Sequence, residues 1–279
     1  LIEKKKNTMK KTLAIIASAI LFNINAQNHR TIGSTTGFGS GSYNTASGTS
    51  ALLNNSSGSN NTASGYQALL NNTTGSNNTA FGHRALYSNN QGSYNTASGY
   101  YTLYKNTTGN HNTASGFGAL YFNISGSNNT AYGTHALHLN TTGGYNTAAG
   151  HTALYSNTTG VRNTALGFAA LAYNTTGELN IALGYHALNK NTIGSMNTAL
   201  GNYALFNNST GEYNTASGAY ALYYSSGSEN TAYGYNALKY NTIGEQNTAL
   251  GNYALERNTT GSYSTAYGYK ALQQNTTGR

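Results

Sequence analysis

The chain has 279 residues, only 7% of them charged, with 34 Gly, 25 Tyr and no Pro, Cys, Trp or Asp. Without cysteine there is no disulfide framework. Without Asp, and with scattered Glu, there is neither a carboxylate pair nor a Ser/His/Asp triad, so the chain reads as non-enzymatic. The formal charge of +8 is concentrated at the start, where Lys4, Lys5, Lys6, Lys10 and Lys11 lie; the nine basic residues beyond residue 26 are scattered among five Glu. That spread does not suit a phosphate backbone, and no nucleic-acid partner is expected.

In chain order, residues 1–26 read as a few upstream residues followed by a secretion signal. Met9, Lys10 and Lys11 give a basic start, TLAIIASAILF (12–22) an apolar run, and NINAQ (23–27) a cleavage site after Ala26. The run is too short to span a bilayer as a helix, so the mature chain is expected to be exported and to carry no integral membrane segment. Residues 27–43 form a lead-in. Its GFGSG (37–41) lacks the Lys-Ser/Thr and helix of a phosphate loop and reads as a turn.

From Asn44 to residue 279 one sentence is repeated fourteen times: N-T-A-x-G-x-x-A-L-x-x-N-T-T-G-x-x. Twelve of the thirteen spacings are 17 residues; the exception is 16, at YYSSG (223–227), which lacks the Asn found before the second Gly elsewhere. Strict phase argues against disorder despite the Gly, Ser, Thr and Asn content. A 17-residue unit is too short for a helical hairpin but suits one coil of a solenoid, with two short straight runs joined by two turns. The predicted fold is all-β: a parallel β-solenoid of about fourteen 17-residue coils, its core holding the Ala and Leu of each copy. Both glycines are expected at corners that need positive φ. Alternation in N-T-A-x-G points Ala inward and Thr outward. The adjacent Ala-Leu pair breaks that alternation and marks either a corner or one helical turn. Burying one Leu returns roughly 1.5–3 kcal/mol, far less than the cost of ordering a coil. Stability must therefore come from stacking, including a column of Asn side chains bonded rung to rung.

The units NTALGFAAL (163–171) and NTALGNYAL (197–205) resemble the head repeats of the YadA-like trimeric autotransporter adhesins. The likeness covers residues 44–279. That family's units are shorter; here an N-T-T-G segment lengthens each one. The resemblance implies a left-handed parallel β-roll, a homotrimer and a place on a bacterial cell surface. The repeat is expected to continue past residue 279 in a longer chain, since no neck, stalk or anchor follows within the sequence.

Candidate functional residues come from repeat position. Just after the core Leu stand Tyr87, Tyr104, Tyr121, His138 and Tyr155, on five successive coils. At one rung spacing their rings would form a strip, which either stiffens the rod or binds a partner protein or glycan. His83 and His151 share one repeat position, His135 and His186 another. The members of each pair are several rungs apart, too far for a shared metal, and calcium repeats need Asp. No catalytic, cofactor or metal site is expected. The N-T-T triplets would be glycosylation acceptors only in a eukaryotic secretory pathway, and read here as turns. A secreted adhesin or fibre segment is the first expectation. The alternatives are an ice-binding solenoid using the Thr45, Thr62, Thr79, Thr96 column, or a phage-fibre-like or extracellular-matrix scaffold.

Overall fold

The computed structural model describes residues 29–32 and 41–278, which are all-β and contain no helix. The signal at 1–26, most of the 27–43 lead-in and GFGSG up to residue 40 lie outside the described residues. Strand β1 is His29–Ile32 and β2 is Asn44–Ser47; then each coil contributes one three-residue strand, from β3 (Thr62–Ser64) to β15 (Thr265–Tyr267). All fifteen lie in one sheet in chain order. Strands β2 to β15 are parallel and in register, Thr on Thr and Ala on Ala, as in Thr113↔Thr130 and Ala114↔Ala131. At about 4.8 Å per rung the solenoid is about 60 Å long. Strand β1 runs antiparallel against β2, pairing His29 with Ser47 and Ile32 with Asn44.

The Ala of each strand faces inward, buried between a partly exposed Thr and the variable fourth residue. Inside, three stacked rows of Ala, Ala and Leu form a single narrow core, with Leu52 to Leu255 essentially inaccessible. The one polar intruder among the second Ala row, Thr102, satisfies itself by donating Oγ1 to Gly116 O at 2.8 Å.

Only one of the two expected straight runs is a strand. The Ala-Leu stretch is a chain of turns, and it forms a corner rather than a helical turn: each Leu sits in the left-handed region, at φ +49° to +53°. That conformation costs a non-Gly residue on the order of 1–3 kcal/mol. Glycine would remove the strain and also the only large core side chain, worth roughly 1.5–3 kcal/mol on burial. Each coil up to residue 263 holds two further residues at similar φ, as at His135 and Tyr145. The turns still bond from coil to coil, Leu120 N–H to Ala136 O at 3.0 Å and Phe122 N–H to His138 O at 3.0 Å.

The two glycines are required for different reasons. The first takes φ +115° to +139°, as expected. The second does not have positive φ. It is fixed by close approach instead: a Cβ on Gly143 would stand 2.5 Å from both Asn140 Oδ1 and Gly160 O. Two buried Asn columns, rather than one, meet at this glycine. Asn140 donates Nδ2 to Gly143 O (2.9 Å) and to Asn123 Oδ1 on the preceding coil (2.8 Å). Asn129 donates Nδ2 to the same Gly143 O at 2.8 Å and accepts the backbone N–H of Asn146 at 3.0 Å. Nearby, Thr158 O receives Thr141 Oγ1 together with the N–H groups of Thr141, Thr142 and Gly143.

The 16-residue coil shows what this corner tolerates. Ser225 occupies the Asn position and one residue of the Thr pair is missing, so the shortening falls after the Asn position rather than on it. Ser225 Oγ still accepts from Asn241 Nδ2 at 3.3 Å, but Asn208 Oδ1 on the preceding coil is left buried without a partner.

Candidate functional site: an aromatic face on the solenoid

The sixth, seventh and tenth positions of each coil lie in the turns around the Ala-Leu corner. Their backbone groups belong to the coil-to-coil ladder, as with His135 N–H to Phe117 O at 2.9 Å, while their side chains stand outside the core. These positions vary in sequence because the fold uses mainly their backbones.

The predicted strip is present as a continuous stack at the tenth position. Tyr87 stacks on Tyr104 (5.0 Å between centroids), Tyr104 on Tyr121 (5.0 Å), Tyr121 on His138 (5.2 Å) and His138 on Tyr155 (5.3 Å). All five are half-buried. The rings share the spacing of the backbone ladder, so the ladder itself sets their stacking distance. His138 is fixed further by a 2.8 Å contact between Nδ1 and Gly118 O.

Among the described residues this column is one of three that stack three or more rings in succession. At the sixth position Tyr66, His83, Tyr100 and Phe117 stack in sequence, and after Thr134 the stack resumes through His151, Phe168 and Tyr185. At the seventh, His186, Tyr203 and Tyr220 stack at 5.5 and 5.2 Å. Edge-on contacts join the columns, Tyr100 to Tyr101 at 4.3 Å and Tyr101 to Tyr104 at 5.0 Å. Sequence reasoning found the tenth position because five rings fall there without a break. The other two columns are interrupted by Thr134, Asn202, Gly118 and Thr152, and they show only when the copies are aligned position by position.

Basic residues that are scattered along the chain share this side. Lys105, Lys190, Lys239 and Lys270 place their ammonium groups 5.1–5.8 Å from ring centroids, and Arg84 lies within 5.9 Å of Tyr66, Tyr87 and Tyr101. Arg84 also donates to Gln67 Oε1 at 2.8 Å and to the Tyr101 hydroxyl at 3.1 Å. The surface is thus amphipathic, with ring faces and cations held on a rigid backbone.

The histidines are arranged differently from the pairs read off the sequence. His83 and His151 remain coils apart, as do His135 and His186, but His135 packs edge-on against His138 of its own coil at 4.7 Å. Burial lowers the His135 pKa, helped by His138 and His151; burial also lowers that of His138, partly offset by the Gly118 carbonyl. Among the described residues no group of three or more His, Cys, Asp or Glu is placed to hold a metal.

The Thr45, Thr62, Thr79, Thr96 column is in register on the strand side. Phe81, Tyr132 and Tyr233 rise two residues along from it and are exposed. The N-T-T asparagines from Asn72 to Asn258 are buried, and Nδ2 of each is engaged, as at Asn140 and Asn157; Asn275, on the last coil, is partly exposed. A polar groove of about 400 Å³ runs along Asn54, Asn71, Thr73, Ser88, Asn90 and Thr107. No described helix is long and apolar enough to cross a membrane.

No protein-family model matches this chain, and neither a curated protein nor a solved structure is significantly similar to it.

Proposed function

We propose that the chain is a secreted or cell-surface rod, non-enzymatic, that attaches to a surface protein or glycan through its aromatic face. The observation carrying this reading is that rings and cations occupy more than half of the positions at which the fold uses mainly the backbone. Exposed aromatic and basic residues on a preorganised backbone are the usual anchors of recognition. Repetition along about 60 Å suits many weak contacts acting together rather than one deep pocket. The resemblance of NTALGFAAL and its relatives to trimeric adhesin heads supports the same reading and a bacterial origin.

Homotrimerisation belongs to this proposal, and the strand side offers a face for it. Leu166, Leu183 and Leu200 stand in register on adjacent strands. Beside them Ile181 interrupts the Thr column, and Leu179 and Met196 are exposed. Light scattering on residues 27–279 should give the mass of three chains. Ile181→Thr with Leu200→Ser, both residues that other coils carry at these positions, should reduce it to one. A wild-type monomer refutes the trimer. For attachment, Tyr104→Ser with Tyr121→Ser should abolish binding to matrix-protein and glycan arrays while the fold is retained; unchanged binding refutes the aromatic face. Ice binding, the second reading, draws on the in-register Thr column, and a test of ice-crystal shaping by the purified chain decides it.

A further inference from the structure

The stack at the tenth position stops at Tyr155 because the next coil carries Ala172 there, and the same coil carries Ala169 at the seventh. Two one-carbon side chains on one coil open a cleft of about 320 Å³ in the aromatic face. That volume is within the roughly 300–1,000 Å³ of small-ligand sites. Tyr155 stacks on His138 at 5.3 Å on one side and has no stacked ring on the other, so a ring face borders the cleft. His186 lines it from the coil beyond Ala169. Asn189 donates Nδ2 to Ala169 O at 2.7 Å and keeps Oδ1 as an acceptor. Ser156 and Tyr173 bring hydroxyls to the rim.

We infer that this cleft binds one uncharged pyranose ring of a glycan. The cleft occupies one missing rung, the thickness of a single ring stacked on Tyr155. The apolar C–H face of a sugar suits the Tyr155 ring, and its equatorial hydroxyls need the donors and acceptors that Ser156, Tyr173 and Asn189 supply. A bare aromatic guest would leave those groups unused. No Lys, Arg or Glu lines the cleft, so nothing there selects a charged sugar.

The inference rests on the attachment reading for its class of partner, and the two can fail separately. Saturation-transfer NMR with methyl glycosides of neutral hexoses and N-acetylhexosamines should mark the sugar ring protons, and methyl glucuronide should give a weaker signal. Ala172→Tyr, which installs the residue that other coils carry, should reduce binding about tenfold or more without loss of fold. Tyr233→Ser, on the strand side and several rungs away, should leave it unchanged. A signal that survives Ala172→Tyr, or no signal from any neutral sugar, overturns the cleft. Binding of p-cresol alone, abolished by Ala172→Tyr, overturns the saccharide in favour of an aromatic guest. A wild-type rod that attaches to surfaces yet gives no sugar signal overturns the cleft alone; a sugar signal from a rod that attaches to nothing overturns the attachment reading alone.

Discussion

At Asn140, Gly143 and Asn146 the coil spends both backbone and side chain on its neighbours, whereas at His135 and His138 it spends mainly the backbone. The first region is nearly invariant through fourteen copies; the second holds Tyr, His, Phe, Thr, Ser, Asn, Gln, Ala, Gly, Leu, Glu, Lys and Arg. Side-chain freedom therefore tracks whether the side chain is itself a rung of the ladder. The amide corner works as scaffold, and the aromatic turn is open to function at little cost to the fold.

The largest effect should come from adding one carbon at the amide corner. Gly143→Ala drives Cβ into Asn140 Oδ1 and Gly160 O, and should cost about 4 kcal/mol or more, read as a lowered denaturant midpoint. Asn140→Ala removes the bonds to Gly143 O and Asn123 Oδ1 and strips Asn157 Nδ2 of a partner. Its expected cost is about 2–4 kcal/mol. Tyr104→Ser in the aromatic turn should cost only about 1 kcal/mol; a loss as large as that of Asn140→Ala would erase the contrast between the two regions. Ser225→Asn should gain about 1 kcal/mol by giving Asn208 Oδ1 a donor, and the same denaturant titration would show it.

The smallest effect is a pH dependence confined to the aromatic turn. The folded chain holds His135, His138 and His186 below their ordinary value of 6.5 by burial. The neutral rings are thus favoured in the fold, and the unfolded chain binds more protons. Their contribution is complete above pH 6.5 and is lost as pH falls through the lowered folded values. Melting temperatures at pH 7.5 and pH 5 should differ less in His138→Tyr than in the wild type.

Most of the architecture was legible because a solenoid writes its rung into the sequence fourteen times. The coil, the parallel register, the inward Ala and Leu and the Tyr87–Tyr155 stack all follow from repeat position. What composition could not reveal were effects between coils. The second glycine looked like a φ requirement because Gly is the usual answer to one; here its need is set by the neighbouring coil's carbonyl and two amides. Leu120 at φ +51° defies local preference, and only its place in the core explains it. The His135–His138 contact and the Ala169–Ala172 cleft each join the seventh and tenth positions, which the corner between them brings side by side.

The rung-to-rung bonds join residues about one coil apart, between 14 and 20 residues, as with Leu120 and Ala136 at 16, Asn129 and Asn146 at 17 and His135 and Phe117 at 18. Parallel sheets ordinarily fold slowly because their partners are distant in sequence and each pairing must first close a long loop. Here every pairing closes the same short loop. With a separation of 17 residues in a chain of 279, relative contact order is about 0.06, nearer to helical bundles than to β-sandwiches. Once a few adjacent coils have paired, each later coil docks on a finished edge for an unchanged entropic cost. The rod should therefore grow like a zipper, so that lengthening it adds steps to folding without raising the barrier to any of them.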